Sequence, residues 1–232
     1  MQQTNRPVIG ISMNYMQLGS YMQFHLRDKY VNALYDHGAL PLLIPSFEDK
    51  ALLKQYIDMV SGLIIIGGMD YPPSLYGEEL HPKTEPMEMR RAVSDMLLVE
   101  LMLEADKPLL GICAGMQLLN IYFGGKLIQH IDNLDTHFGE KYHNITVKDS
   151  HWLGSIFGAE QFTVNSNHHQ GLDPAFIGKD LKPVAWADDG GIEAVELDSP
   201  QMVLGIQWHP ERITDLQHRK LIFDYFIHRA GN

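Results

Sequence analysis

Between residues 8 and 123, short apolar runs alternate repeatedly with stretches of helical period, and this restricts the fold more than any other feature of the sequence. Val8-Ile9-Gly10-Ile11-Ser12 reads as a short buried strand. Residues 24–37 turn helical, with Tyr30, Leu34 and Tyr35 near one face and Gly38 as the C-terminal stop. Residues 40–44, closed by Pro45, form a second strand, and residues 48–60 a second amphipathic helix. Residues 62–66 are a continuous apolar, largely β-branched run, as a strand covered on both faces requires. Residues 87–106 form the longest helix, 109–113 the next strand, and 114–123 an almost wholly apolar, hence buried, helix. Such an α/β pattern builds a mainly parallel central sheet with helices on both faces.

The stretch 67–86 holds Gly67-Gly68, Pro72-Pro73, Gly77, Pro82 and Pro86, and reads as a long structured loop. Loops of that length are usually functional or disordered. After Gly124-Gly125 the texture changes. Residues 142–147, 161–164, 184–187, 192–197 and 203–207 are short strand candidates, several of them antiparallel, which adds a smaller, partly antiparallel sheet in the second half. Asp188-Asp189-Gly190-Gly191 signals a tight turn between two of these strands. Residues 214–228 close the chain as a helix with Thr214 as N-cap. No repeat, low-complexity tract or linker interrupts residues 1–232, so a single domain is expected, a size that buries around 70% of the unfolded surface.

Charge and cysteine content exclude several classes of function. Eighteen Lys and Arg stand against 29 Asp and Glu, a formal charge of −11, which argues against nucleic acid or an anionic membrane as main partner. The longest apolar runs, such as residues 63–66, are far too short to span a bilayer. The polar start, residues 1–6, lacks the apolar stretch of a signal peptide. The expectation is a soluble, cytoplasmic protein. One cysteine permits neither an internal disulfide nor a thiolate zinc site.

That cysteine, Cys113, lies in Gly111-Ile112-Cys113-Ala114-Gly115, where a buried strand meets a buried helix. The arrangement is the thiol form of a nucleophile elbow, with small residues two positions to either side to relieve crowding. The helix N-terminus favours thiolate, and the Ala114 N–H is free to donate to an oxyanion. A buried structural cysteine is the bland alternative. A thiol nucleophile needs a base, and His209 is distinctive among twelve histidines because it follows a buried-strand pattern and precedes Pro210-Glu211. At a strand's carboxyl end residues 209 and 211 point the same way, so Glu211 can fix the imidazole tautomer. A surface His-Pro-Glu turn is the competing account. Asn165-Ser166-Asn167-His168-His169-Gln170 is a dense run of polar groups suited to ligand contacts or to a solvated loop. Neighbouring histidines in extended chain diverge, which argues against joint metal ligation by His168 and His169. Gly67-Gly68 offers backbone N–H groups close to a ligand, although a simple turn also uses Gly-Gly.

Taken together, these segments resemble the class I glutamine amidotransferase-like family, and within it the stand-alone γ-glutamyl-γ-aminobutyrate hydrolase group. The likeness runs from Pro7-Val8-Ile9-Gly10-Ile11 to the final helix. Its marks are Tyr30-Val31-Asn32-Ala33-Leu34, Gly38-Ala39-Leu40-Pro41, Gly67-Gly68-Met69-Asp70-Tyr71-Pro72-Pro73 and Leu75-Tyr76-Gly77-Glu78. The elbow around Cys113, with Met116-Gln117, the Asn165–Gln170 run and Gln207-Trp208-His209-Pro210-Glu211 complete them.

The resemblance implies a Cys113–His209–Glu211 triad that cleaves a γ-glutamyl amide through a thioester. It implies oxyanion donors at Ala114 and at Gly68 or Met69, and contacts to the glutamyl group from Gln117, Ser166, Asn167 and His168. No metal or organic cofactor is required by this chemistry. Many members of the hydrolase group carry Arg directly after the nucleophile, where this chain has Ala114, so the amine half of the substrate stays open. Backbone donors and neutral polar side chains are expected to hold the anionic glutamyl group. Residues 81–86 and 132–142 are candidate specificity elements, with solvated loop as the alternative.

Three functions follow: hydrolase of a small γ-glutamyl compound, glutaminase subunit handing ammonia to a separate synthase partner, or non-catalytic binding or regulatory module. The partner expected under the first is a small-molecule γ-glutamyl substrate, with no nucleic acid and no membrane, and a homo-oligomer is compatible with the sequence.

Overall fold

The computed structural model describes residues 6–158 and 160–231; the polar start, residues 1–5, lies outside them. The strands are β1 (Val8–Ser12), β2 (Asn14–Leu18), β3 (Tyr21–His25), β4 (Leu40–Ile44), β5 (Gly62–Ile65), β6 (Leu109–Ile112) and β7 (Leu127–Ile128). They continue with β8 (Lys141–Val147), β9 (Gln161–Ser166), β10 (Gly171–Leu172), β11 (Leu181–Ala187), β12 (Ile192–Leu197) and β13 (Val203–Ile206). The helices are α1 (Asp28–Asp36), α2 (Lys50–Met59), α3 (Met89–Glu104), α4 (Ala114–Tyr122), α5 (Leu134–His137), α6 (Trp152–Phe157) and α7 (Leu216–Gly231).

Among the described residues, one sheet runs in the order β4-β1-β5-β6-β13-β12-β11-β8-β9. Strands β4, β1, β5, β6 and β13 are parallel, and β12, β11, β8 and β9 extend the same sheet antiparallel. The antiparallel strands of the second half are thus a continuation of the parallel centre, and β2–β3 and β7–β10 form separate small antiparallel pairs. Every residue of β5 and β6 is buried, the consequence of helices on both faces. Ile9, Ile11, Ile64, Leu110 and Ile112 meet Tyr30 and Leu34 of α1 and Phe223 and Phe226 of α7. Leu63, Ile65 and Leu109 meet Leu53 of α2, Val99 of α3 and Met116 and Leu119 of α4 on the other face. Each such fully buried side chain contributes about 1.5–3 kcal/mol of hydrophobic stabilisation.

Three expectations need correction. The helix expected over residues 24–37 starts only at Asp28, because Phe24 and His25 belong to β3. Strands β2 and β3 make a hairpin around Gly19-Ser20, with Gly19 at φ +63°, a two-residue turn that favours glycine. Tyr35 faces solvent, and Ala33 joins Tyr30 and Leu34 in the core. Thr214 does not cap the last helix: Asp215 Oδ1 accepts from the N–H groups of Gln217 and His218 at 2.9 and 3.1 Å. A carboxylate is the stronger acceptor at a helix N-terminus, and Thr214 instead shares a hydrogen bond with Tyr142.

The expected tight turn joins β11 to β12, closed by Ala187 N donating to Gly191 O at 2.8 Å. The long loop is held at its base where Met87 N donates to Asp70 O at 2.8 Å, and it contains a single 3-10 turn at Pro73–Tyr76. Among the described residues no helix is long and apolar enough to cross a membrane.

Candidate active site

Strand β6 ends at Ile112 and α4 begins at Ala114, leaving Cys113 between them at φ +53° and ψ −106°. A non-glycine residue in this region stores about 1–3 kcal/mol of strain, so the surroundings must hold it there. Cys113 N donates to Ile206 O of β13 at 2.8 Å. The flanking glycines let helix and strands close up. A Cβ at Gly111 would stand 2.6 Å from the Gly115 carbonyl carbon, and one at Gly115 would run into the carbonyl of Ile65. The Ala114 N–H, first of the helix, has no partner among the described residues.

Strand β13 is the parallel neighbour of β6, so its carboxyl end delivers His209 beside Cys113. The two side chains flank Gly67, whose ideal Cβ would lie 3.3 Å from Cys113 Cβ and 3.1 Å from His209 Cε1, and both reach the same cleft. His209 Nδ1 lies 2.9 Å from Glu211 Oε1, and both side chains are buried. The strand stops at Ile206, so this pair forms in the following turn rather than by alternation along a strand. Asn165 grips the turn: its amide donates to His209 O at 3.0 Å and its Oδ1 accepts from His209 N at 3.2 Å. Burial by itself would lower the imidazole pKa, but the Glu211 carboxylate and the Cys113 sulfur outweigh it and hold His209 up at about 9. Gln207 Nε2 donates to Cys113 Sγ at 3.5 Å.

Opposite Cys113, the chain leaves β5 through Ile66 and Gly67. Gly67 N donates to Tyr30 Oη at 3.2 Å, and the carbonyls of Ile66 and Gly67 accept from Arg91 Nη2 at 3.1 and 3.3 Å. Arg91 is itself buried and paired with Asp95 at 3.2 Å, whose carboxylate also accepts from Tyr71 at 2.7 Å. With its carbonyls held from below, the loop leaves the N–H groups of Gly68 and Met69 without partners among the described residues. The backbone passes so close that a Cβ at Gly67 would lie 3.1 Å from His209 Cε1 and 3.3 Å from Cys113 Cβ.

These elements line a cleft of about 380 Å³. Gly68, Met69, Cys113, Ala114, Gln117, Asn167, His168 and His209 reach it. Gln117 donates to Gln170 O at 3.2 Å. Ser166 is not part of the lining: its hydroxyl is buried and donates to His137 O at 2.9 Å. Glu211 stands behind His209, outside the lining. His168 and His169 diverge as expected. His169 Nε2 lies 3.1 Å from Asp70 Oδ1, whose hydrogen bond holds that imidazole above its usual pKa. Both nitrogens of His168 are engaged away from the cleft, with Gln170 O and with His137. Glu85 and Phe138 bring the two candidate specificity stretches to the rim.

Two arginines, Arg27 and Arg212, also line the cleft, where only backbone and neutral groups were expected; Arg212 pairs through Nη1 with Glu140, and its Nε lies 3.8 Å from Glu211 Oε1. Arg27 follows the β2–β3 hairpin, which sequence patterning left unrecognised. Tyr30, Arg91 and Asn165 likewise escaped selection as site residues. Arg91 and Asp95 carried a faint signal, opposite charges four apart among the apolar positions of the helix.

In sequence and in fold the chain is similar to known proteins. The model of the family described as Peptidase C26 matches residues 7–211. The chain is 33% identical over 212 residues to the glutamine amidotransferase-like protein YvdE of Lactococcus lactis, covering 87% of each. It is 29% identical to the γ-glutamyl-γ-aminobutyrate hydrolase PuuD of Escherichia coli K12, covering 96% of this chain and 93% of that protein. Among solved structures, the glutaminase domain of Trypanosoma brucei CTPS with bound acivicin superposes with a TM-score of 0.69 at 14% identity, covering 97% of this chain and 94% of that one.

Proposed function

The chain belongs to the peptidase C26 family of glutamine amidotransferase-like proteins, and from that premise we propose that it hydrolyses the γ-glutamyl amide bond of a small γ-glutamyl compound through a γ-glutamyl thioester. One observation carries the reading. A buried imidazole lies between the Glu211 carboxylate and a sulfur held on a strained strand-to-helix turn. Structural cysteines have no use for such a neighbour.

In the first half-reaction the Cys113 thiolate attacks the γ-carbonyl carbon and the carbonyl electron pair moves to oxygen. The N–H groups of Ala114 and of Gly68 or Met69 stabilise that oxyanion, about 3 kcal/mol for each donor. The C–N bond breaks as the His209 imidazolium gives its proton to the departing amine. In the second half-reaction neutral His209 takes a proton from water, whose oxygen attacks the thioester. The C–S bond then breaks, releasing glutamate and the thiolate. Glu211 keeps the imidazole oriented and favours its charged form. Gln117 and Asn167 contact the glutamyl head group, and Arg27 and Arg212 supply positive charge for its carboxylate or for an anionic amine half. The relative PuuD is named for such a substrate, γ-glutamyl-γ-aminobutyrate.

A panel of γ-glutamyl amides and glutamine, assayed for released amine or ammonia, tests this. Turnover of at least one γ-glutamyl amide and its loss in a folded Cys113→Ala variant are expected. Full activity in that variant sinks the proposal.

The fold likeness to a glutaminase domain favours a second reading, ammonia supply to a separate synthase. Ammonia release from glutamine that rises sharply only when a partner is added would select it. Failure of Cys113 to react with a γ-glutamyl diazo-ketone would point instead to a non-catalytic module.

A further inference from the structure

Behind the cleft wall, three imidazoles converge on one carboxylate. His137 ends α5, His143 lies on β8, His168 follows β9, and Glu193 lies on β12. Glu193 is fully buried, His137 and His168 are buried, and His143 is half-buried. Glu193 Oε1 stands 3.5 Å from His137 Nδ1, 3.4 Å from His143 Nε2 and 3.5 Å from His168 Nε2. His137 Nδ1 and His168 Nε2 are 3.2 Å apart. None of the contacts to the carboxylate has the alignment of a hydrogen bond, and both Glu193 oxygens and His143 Nε2 have no hydrogen-bond partner among the described residues. A buried carboxylate oxygen without an aligned donor is costly.

The outer nitrogens explain what faces inward. His137 Nε2 lies 2.7 Å from Asp189 Oδ2, His168 Nδ1 2.9 Å from Gln170 O, and His143 Nδ1 3.3 Å from Thr136 O. Each of these partners only accepts, so each outer nitrogen donates and the remaining nitrogen of each ring is directed at the carboxylate or at a neighbouring ring. The hydrogen bond between His137 Nδ1 and His168 Nε2 leaves Glu193 and His143 Nε2 without a hydrogen-bond partner among the described residues. A cation at the centre would satisfy the atoms left without a partner.

The spacing suits one. Nitrogen and oxygen ligands at about 2.0–2.2 Å on a tetrahedron stand about 3.3–3.5 Å apart. His137, His168 and Glu193 are mutually at 3.2–3.5 Å, and the ligand atoms of His137, His143 and Glu193 all lie within 4.8 Å of one another. Imidazole donors select a borderline transition cation over calcium or magnesium. Carboxylate and carbonyl acceptors on the outer nitrogens are the support that metal-bound histidines use.

We propose that His137, His143 and Glu193 form a structural site for a divalent cation of the zinc class, with His168 beside them and Asp189 orienting His137. The site joins α5, β8, β12 and the segment after β9. His168 and Phe138 also line the cleft, so the cation stiffens the wall opposite Cys113 while taking no part in the reaction.

The test uses the full chain with Cys113→Ala, which removes the one competing thiolate and is independent of catalysis. After chelator treatment and zinc addition, one zinc per chain is expected to survive gel filtration, and the melting temperature rises by several degrees. Cobalt(II) in place of zinc is expected to give the visible bands of a four-coordinate nitrogen-rich site. His143→Gln and Glu193→Gln lose that stoichiometric metal, and Asp189→Asn weakens affinity about 10–100-fold. Should the Glu193 variant not fold, the Asp189 and His143 variants carry the comparison. Less than a tenth of an equivalent of zinc bound with an unchanged melting temperature, or full stoichiometry in His143→Gln, overturns the site. Either result means that protons shared among the imidazoles hold the cluster.

Discussion

His209 stands beside Cys113 because their strands are parallel neighbours in register, Leu109 opposite Val203 and Ile112 opposite Ile206. Neither residue lies near the other in sequence, and no turn links them. The hydrogen-bond ladder of β6 and β13 sets the positions of the two strand ends from which Cys113 and His209 project. His209 is then held by Asn165 and Glu211 and brought against the elbow sulfur.

The raised pKa of His209 predicts a pH profile. The imidazole sits at about 9 against an ordinary value near 6.5, so its charged form is favoured in the folded state. Its contribution to stability is fully present below about pH 6.5 and is lost as pH rises through about 9. The kcat/KM profile should fall on its basic side near pH 9, as the proton donor for the departing amine is lost. In Glu211→Gln that limb should move to lower pH, because the carboxylate no longer favours the imidazolium. An unchanged basic limb in this variant would mean that Glu211 does not tune His209.

Backbone strain at Cys113 predicts an inverted stability order. Cys113→Ala keeps a Cβ at φ +53°, whereas Cys113→Gly removes it. The glycine variant should be the more stable of the two by about 1 kcal/mol, about 2–4 °C in a chain of this length. Thermal melts of the two variants side by side decide this. An alanine variant that melts higher would place no strain at the elbow.

Gly67 is predicted to matter through its missing side chain. In Gly67→Ala the new methyl presses on His209 Cε1 and Cys113 Cβ, which must each shift by a few tenths of an ångström. Displacement of reacting groups acts on kcat more than on KM, here on the order of tenfold. Steady-state kinetics on a variant with a near-normal melting temperature provide the check, and kcat within twofold of the parent contradicts the expected contact.

Arg27 faces the cleft and its guanidinium has no ion pair among the described residues. An exposed charge of this kind contributes about 1 kcal/mol to an anionic ligand. Arg27→Gln should raise KM for an anionic γ-glutamyl substrate roughly fivefold and leave kcat alone, with the difference shrinking as salt is added. Equal KM values at low salt would assign the substrate's charge to Arg212 instead.

Much of the fold was legible in the sequence because burial on both faces imposes a local pattern. Unbroken apolar runs marked β5 and β6, and the apolar stretch after Cys113 marked a helix with all but its last residue buried. The β2–β3 hairpin was not legible in the same way, since its exposed strands carry tyrosine, methionine and phenylalanine without a buried face. A helical reading therefore ran on into Phe24 and His25.

For the site, the sequence by itself determined the elbow: strand, cysteine between small residues, and helix are consecutive, and local sterics suffice to shape them. It also determined that His209 and Glu211 travel together. Tertiary structure alone decided the rest. It inserted β13 next to β6, placed Arg91 beneath Gly67, turned Ser166 away from the cleft, and gathered His137, His143, His168 and Glu193 from four separate segments. The physical reason is that periodicity records how each segment meets the core, whereas strand order and long-range side-chain contacts depend on which segments meet one another, and no local pattern encodes that.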